Sequence, residues 1–211
     1  MENTIESQKK ERVIAYIDGF NLYFGIKEAG LENCKWLDLK KLVLDLLKPN
    51  QLLVDVKYFT SRVSNAPDKQ KRQATYIEAV EASGVTIFFG HYQSSTITCK
   101  NCFATWATYN EKMTDVNIAT QIMVDAYADN YDMAFLISGD SDLVPPIRLV
   151  HELFKNKRVF VAFPPKRHSH SVSFVAKGSI SIGRKKLVDA QFAEKVTKKD
   201  GYELSKPFDW K

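Results

Sequence analysis

The chain has 211 residues, of which 45% are hydrophobic, so it is long enough for one sizeable core and short for two full domains. Apolar runs such as 159–163 are far below the ~18 residues of a membrane span, and residues 1–11 lack the apolar middle of a secretory signal. Three cysteines are an odd number that makes no disulfide framework. The sequence therefore predicts a soluble, cytoplasmic protein without membrane association.

Charge is distributed unevenly along the chain, whose formal net charge is +5. Residues 151–211 contain 14 Lys or Arg against 6 Asp or Glu, whereas residues 1–150 contain 16 against 19. A basic flank beside an acidic site suits a protein that handles a polyanion through metal ions, because the flank attracts phosphates. A solvated basic tail is the alternative that charge leaves open.

Five short apolar or β-branched segments predict buried strands, at residues 13–17, 52–60, 85–89, 133–137 and 158–163. Helical periodicity lies between and after them, at residues 20–29, 37–47, 74–82, from 115 onward, and 143–154. Because parallel strands need crossover connections, this alternation predicts a three-layer α/β fold. Its central sheet is expected to be mainly parallel and five-stranded, with helices on both faces.

Two parts of the chain depart from that alternation. Residues 90–110 have no sustained period and predict an irregular excursion with at most a short hairpin. Further on, a short strand at 179–182 is predicted between short helices at 172–177 and 185–190. The expected organisation is a disordered N-terminal tail at 1–11, one domain at 12–165, and a basic C-terminal extension packed on that domain at 166–211.

Four aspartates stand at junctions between predicted elements. Asp18 and Asp140 follow strands, Asp142 lies two residues beyond Asp140, and Asp115 opens a helix. Ligands of open α/β sheets bind beyond the carboxyl ends of the strands, so we expect one shared site. Carboxylates packed this closely repel unless a cation lies among them, and oxygen ligands favour Mg²⁺ or Mn²⁺. Asn21 could orient a phosphate or a water there. Each aspartate could instead only cap a helix or a turn.

Three sequence blocks carry a resemblance to a known family. They are DGFNLY at residues 18–23, EKMTDVNIA at 111–119 and SGDSDLVP at 138–145. In order and spacing they resemble the signature blocks of NYN domain proteins of LabA type, which belong to the PIN-like nuclease superfamily. The resemblance runs over residues 13–163 and implies a Rossmann-like PIN fold.

The resemblance also implies a reaction and the residues that perform it. The acidic positions of the family match the predicted metal ligands and catalytic residues Asp18, Asp115, Asp140 and Asp142, and its asparagine matches Asn21. The implied reaction is hydrolysis of RNA phosphodiester bonds by water activated with Mg²⁺ or Mn²⁺. An RNA-binding or regulatory module with little turnover is one alternative, and a metal-dependent phosphatase acting on small phosphate esters is another. The expected partner is single-stranded RNA, and a homodimer is left open.

Several basic and hydroxyl side chains near the predicted site could contact substrate phosphate. Lys112 precedes the helix of Asp115, and Arg148 lies in the helix after Asp142. A loop with Lys166, Arg167 and Ser169 follows the fifth strand at the same edge of the sheet as the acids, so it could hold a phosphate backbone. Solvated or salt-bridged roles are the alternative for these side chains.

Cys99 and Cys102 have the spacing of a zinc knuckle, but a structural zinc site needs four ligands. His91 is the nearest candidate for a third ligand. A zinc site is therefore kept as a possibility, and a reduced hairpin is the favoured interpretation.

Histidines and aromatic residues complete the candidate set. His168 and His170 are expected at the surface or on phosphate rather than as a general base. Five aromatic residues could stack bases of single-stranded RNA: Phe20, Tyr23, Tyr92, Trp106 and Tyr109. For Phe20 and Trp106, packing in the core is favoured.

Overall fold

A computed structural model describes residues 10–63 and 66–210, without the side chains of residues 92–95 and 107–111. Its centre is a six-stranded sheet of β1 Glu11–Asp18, β2 Gln51–Thr60, β3 Thr86–Phe89, β6 Met133–Ile137, β7 Arg158–Phe163 and β8 Ser179–Ser181. The strands lie in the order β3-β2-β1-β6-β7-β8, and every neighbouring pair is parallel. This confirms the predicted α/β fold.

Helices cover both faces of this sheet, and they are α1 Gly19–Glu28, α2 Leu39–Leu46, α3 Pro67–Ala82, α4 Thr114–Tyr127, α5 Val144–Leu153, α6 His170–Val175 and α7 Arg184–Asp189. Alternate residues of β1 show the two faces. Val13, Ala15 and Ile17 belong to the core on the side of α1, α2 and α7. Ile14 and Tyr16 belong to the core on the side of α4 and α5. A strand buried on both faces explains the uninterrupted apolar sequence.

The number of strands in the central sheet differs from the prediction of five. The sixth is β8, whose Ile180 pairs with Ala162 of β7. The sequence indicated this short strand, yet strand pairing depends on where the connection through α6 returns the chain. Residues 166–211 therefore contribute to the sheet as well as packing on the domain.

Residues 90–110 are more regular than predicted. They belong to an antiparallel hairpin of β4 His91–Thr98 and β5 Thr105–Lys112, with register from His91 opposite Lys112 to Thr98 opposite Thr105. The hairpin lies outside the central sheet. The sequence of these strands is polar and rich in Thr, without a sustained apolar period, which is why hydrophobic periodicity missed them.

The C-terminal residues form a small second hairpin, β9 Lys195–Thr197 with β10 Glu203–Ser205, followed by a 3₁₀ turn at Phe208–Trp210. Leu204 packs with buried Trp36 and Ala79 in a separate cluster. The predicted disordered tail lies mostly outside the described residues, although Glu11 already belongs to β1. Among the helices described, none is long and apolar enough to span a membrane.

The strand order sets the position of the candidate site. From β1 the chain builds the sheet outward through β2 and β3, then returns to place β6 on the other side of β1. The carboxyl ends of β1 and β6 therefore flank the switch point at which α/β sheets bind ligands. Asp18 ends β1, and Asp140 follows β6 by three residues.

Candidate metal centre

Three of the four predicted aspartates come together at this switch point. Asp18, Asp115 and Asp140 each offer a carboxylate oxygen within 4.8 Å of the others, and we call them the three-aspartate group. Asp18 is buried, whereas the other two are half-buried. The group opens into a cavity of about 210 Å³, the carboxylate cavity, which Phe20, Asn21, Phe24, Thr114 and Arg167 also line.

Ser138 links two members of the group and was not among the predicted site residues. Its hydroxyl donates to Asp18 Oδ2 at 2.9 Å and accepts the backbone N–H of Asp140 at 3.0 Å. The other carboxylate oxygen of Asp18 accepts the N–H of Asn21 at 2.9 Å. The fully buried Ser138 thus holds the ends of β1 and β6 in register, and its place between an apolar strand and a glycine was the available sequence signal.

Burial changes the ionisation of Asp18. Loss of solvent raises the pKa of its carboxyl to about 6, because the charged form is poorly solvated, and nearby Asp140 adds to the rise. Hydrogen bonds from Asn21 and Ser138 oppose this rise. The ionised form of a buried carboxyl is unfavourable by itself and becomes favourable beside a cation. The raised pKa of Asp18 therefore agrees with a cation-binding role.

Asn21 and Gly139 join α1 to the end of β6. The side-chain oxygen of Asn21 accepts the N–H of Gly139 at 2.9 Å. A β carbon at Gly139 would overlap the backbone carbonyl of Arg167, and one at Gly25 would lie 2.6 Å from the carbonyl of Pro165. The loop after β7 therefore packs directly on α1 and the β6 end, which only glycines permit. Asn21 thus has a structural role that the sequence did not predict.

Among the predicted phosphate contacts, Arg167 is the residue that lines the carboxylate cavity. Its guanidinium pairs with Glu28, and its Nε is buried without a hydrogen-bond partner among the described residues. An unsatisfied buried donor costs free energy, so an anion at this place would be stabilised. Arg167 is therefore the cation best placed to meet a phosphate at the three-aspartate group.

The other predicted contacts lie outside the lining of this cavity, as far as the described residues show. Lys112, Arg148 and Lys166 are exposed. Lys112 ends β5 opposite His91, and Lys166 has a left-handed φ of 60° in the loop after β7. Ser169 caps the short helix α6 by accepting the N–H of Val172. Their predicted contact with phosphate therefore has no support from the cavity lining.

Asp142 does not belong to the three-aspartate group. Its side chain is exposed, and its backbone N–H donates to Asp140 Oδ1 at 2.9 Å. Asp140 thus caps the 3₁₀ turn at Ser141–Leu143, and the second aspartate of the motif points away from the core. The three-aspartate group therefore contains three of the four predicted ligands, and Asp142 lies outside it.

The possible zinc site is not assembled. Cys99 and Cys102 lie at the tip of the β4–β5 hairpin, while His91 lies at its base, so about seven residues of extended strand separate them by roughly 23 Å. In the described part of the chain, the three-aspartate group is the only cluster of metal-ligating side chains. Hydrogen bonds from the Cys102 and Asn101 backbone lower the pKa of Cys99.

The histidines and aromatic residues also differ partly from expectation. His168 and His170 are exposed, and their rings contact each other at 5.0 Å between centroids. Phe20 is half-buried in the lining of the carboxylate cavity, and Trp106 is 49% exposed, so core packing was wrong for both. Tyr23 is exposed on α1. The side chains of Tyr92 and Tyr109 lie outside the described residues.

A buried ionic network positions α4, the helix that carries Asp115. Lys57 of β2 contacts Asp125 of α4 at 2.6 Å, and the hydroxyl of Tyr16 in β1 donates to the same carboxylate at 2.7 Å. Asn130 donates to the other oxygen of Asp125 at 3.0 Å. Three core elements are thus joined through one carboxylate, which no local sequence pattern revealed.

Two known proteins are similar to this chain. In Pseudomonas putida, a 6-hydroxy-3-succinoylpyridine 3-monooxygenase is 25% identical to this chain over an alignment of 209 positions. That alignment covers 82% of this chain and 65% of the relative, so the chain spans less than two-thirds of the relative's length. A crystal structure of a Vibrio parahaemolyticus protein of unknown function has the same fold, with a TM-score of 0.55 and 22% identity. The aligned region covers 85% of this chain and 98% of the Vibrio chain.

The family model of the NYN domain matches residues 12–183, which run from the second residue of β1 through β8 and include all three aspartates of the group. The match extends beyond residue 165, in agreement with the place of β8 in the central sheet. The chain therefore belongs to the NYN domain family, within the PIN-like nuclease superfamily.

Proposed function

We propose that this NYN protein is a metal-dependent endoribonuclease of LabA type that hydrolyses phosphodiester bonds of single-stranded RNA. The observation that carries the proposal is the convergence of Asp18, Asp115 and Asp140 at the switch point of a nuclease-superfamily fold. The basic C-terminal part of the sequence supports a polyanionic substrate.

The three-aspartate group fits a hard divalent cation. Its donors are carboxylate oxygens, which Mg²⁺ and Mn²⁺ prefer. Asp18 is buried with a raised pKa, and a bound cation would lower that pKa. Asp18, Asp115 and Asp140 would hold the ion. When bound, such an ion promotes deprotonation of water and stabilises negative charge on phosphate oxygens.

The chain's own residues supply binding and orientation around that group. Ser138 holds Asp18 and the backbone of Asp140 together, so the two carboxylates keep their relative position. Arg167 contributes a cation to the lining of the carboxylate cavity, where a substrate phosphate would contact it. Phe20 and Phe24 contribute apolar walls that exclude water from part of the cavity.

The proposal is tested by incubating the purified protein with end-labelled single-stranded RNA and Mn²⁺. Asp140→Asn is expected to lower the cleavage rate at least about a hundredfold, because it removes one ligand and one charge. Asp142→Asn is the matched control, since that side chain lies outside the group, and a change below about tenfold is expected. Cleavage that survives both Asp140→Asn and excess EDTA would sink the proposal. RNA retained without cleavage, and released by salt, would favour the regulatory-module alternative.

A second candidate function is oxygenation of an aromatic ring, the activity in the name of the Pseudomonas relative. The observation that favours it is a second cavity with aromatic walls next to the three-aspartate group. It predicts consumption of dissolved oxygen when 6-hydroxy-3-succinoylpyridine and a reductant are added, whereas the ribonuclease function predicts none. An oxygen electrode separates the two.

A further inference from the structure

A second and larger cavity lies beside the carboxylate cavity, and α1 contributes residues to both. It has a volume of about 450 Å³, within the range of small-molecule sites, and we call it the aromatic cavity. Helices α1 and α3, the end of β2 and the C-terminal 3₁₀ turn form its walls. Four of its aromatic side chains are Tyr23, Tyr58, Tyr76 and Trp210.

The C-terminal turn closes this cavity through specific contacts. The Trp210 ring packs on Tyr76 at 5.7 Å and on Trp36 at 6.4 Å between centroids. Asp209 pairs with Arg72 of α3 at 2.6 Å. Tyr76 is also fixed, because its hydroxyl donates to the backbone carbonyl of Leu37 at 2.9 Å. The aromatic walls are therefore held in place by the fold.

The aromatic cavity shares a wall with the carboxylate cavity. Phe20 and Phe24, one turn apart on α1, line both, and their rings stack with centroids 6.5 Å apart. A strand with one phosphate at the three-aspartate group would therefore have an adjoining nucleotide beside the aromatic cavity. No other described residues line both cavities.

The charges around the aromatic cavity favour an anion. Its lining has four cations, Lys27, Lys35, Lys69 and Arg72, and two acids, Glu32 and Asp209. Lys35 pairs with Glu32, and Arg72 pairs with Asp209. Within the described part of the chain, no ion pair engages Lys27 or Lys69. The cavity thus combines aromatic walls with two positive charges available for a ligand.

We propose that the aromatic cavity binds a nucleotide, with its base against the aromatic walls and its phosphate at Lys27 and Lys69. Base stacking on aromatic side chains tolerates any base, because every base has an aromatic face. The nucleotide is either part of the RNA strand next to the cut, in which case the inference rests on the proposed function, or a free mononucleotide.

The first experiment measures binding of adenosine 5′-monophosphate to the full chain by calorimetry in EDTA, so that neither metal nor cleavage is needed. Lys27→Glu with Lys69→Glu is expected to weaken binding at least about tenfold, and ribose 5-phosphate, which lacks the base, is expected to bind at least about tenfold more weakly. Lys71→Glu, an exposed lysine on α3 outside the lining, is the matched control. Tyr23→Ala should also weaken binding, with the exposed Tyr127→Ala as its control.

A second experiment, the affinity for a single-stranded RNA in EDTA, identifies the source of the nucleotide. A loss in the double lysine variant beyond that of Lys71→Glu assigns the cavity to the strand, and an unchanged RNA affinity with lost mononucleotide binding assigns it to a free nucleotide. Equal losses in the double variant and the control, or equal binding of nucleotide and ribose 5-phosphate, would overturn the inference. Failure to cleave RNA would leave these binding results intact, so the two proposals fail separately.

Discussion

The backbone carbonyl of Arg167 occupies the place where a β carbon at Gly139 would lie. This contact brings the loop after β7 onto the end of β6, and it places the Arg167 side chain in the lining of the carboxylate cavity. The glycine of the SGDSD sequence is thus required by a close approach between segments 28 residues apart in the chain.

Gly139→Ala should therefore destabilise the fold, because backbone rather than a flexible side chain must move. We expect a loss of about 3 kcal/mol or more in the free energy of unfolding, measured by urea denaturation. Gly183→Ala is the matched control, since a β carbon there meets nothing within 4 Å. A stability loss at Gly139 no greater than at Gly183 would refute the close approach.

Burial of Asp18 predicts a pH-dependent stability of the metal-free protein. The folded chain keeps the Asp18 proton up to about pH 6, while the unfolded chain releases it near the ordinary pKa of 3.8. Between these values the folded state binds more protons, so this group lowers the free energy of unfolding as pH rises. Asp18→Asn removes the contribution of this carboxyl to the pH dependence of stability.

The measurement is urea unfolding in EDTA at pH 4 and pH 7. The stability of Asp18→Asn relative to the wild type should be greater at pH 7 than at pH 4 by up to about 3 kcal/mol. Comparing differences cancels the titration of all other groups. A relative stability that does not change with pH would show that Asp18 ionises without cost in the folded chain.

Arg167 and Lys166 should contribute unequally to RNA binding, since the first lines the carboxylate cavity and the second is exposed outside it. Arg167→Ala is expected to weaken single-stranded RNA binding and to reduce the slope of log affinity against log salt by about one. Lys166→Ala should change both less. Fluorescence anisotropy across a salt series in EDTA checks this, and equal slopes for the two variants would contradict it.

Lys57→Met should strongly destabilise the protein, because it leaves Asp125 buried without its cation. The expected loss is about 3–5 kcal/mol in the free energy of unfolding, and Lys57→Met with Asp125→Leu should recover part of it. Lys185→Met, which breaks the exposed pair with Asp189, is the control and should leave stability within error. If Lys57→Met is as stable as Lys185→Met, the ionic network does not hold α4 in place.

Much of the fold follows from local patterns in the sequence. Residues 13–17 and 133–137 are continuously apolar because both faces of β1 and β6 are buried, so their central position was predictable. The β4–β5 hairpin was missed because its polar sequence has no apolar period, and β8 was assigned no place in the sheet because parallel pairing is a long-range property.

The candidate site divides in the same way. Sequence alone indicated that Asp18 and Asp140 follow buried strands and that Asp115 opens a helix, since each assignment needs only the adjoining residues. Only the tertiary structure decided that Asp142 stays outside the group, that Ser138 joins its members and that Arg167 reaches the cavity. The physical reason is that side-chain direction and contacts between distant segments depend on packing, which a local pattern does not contain.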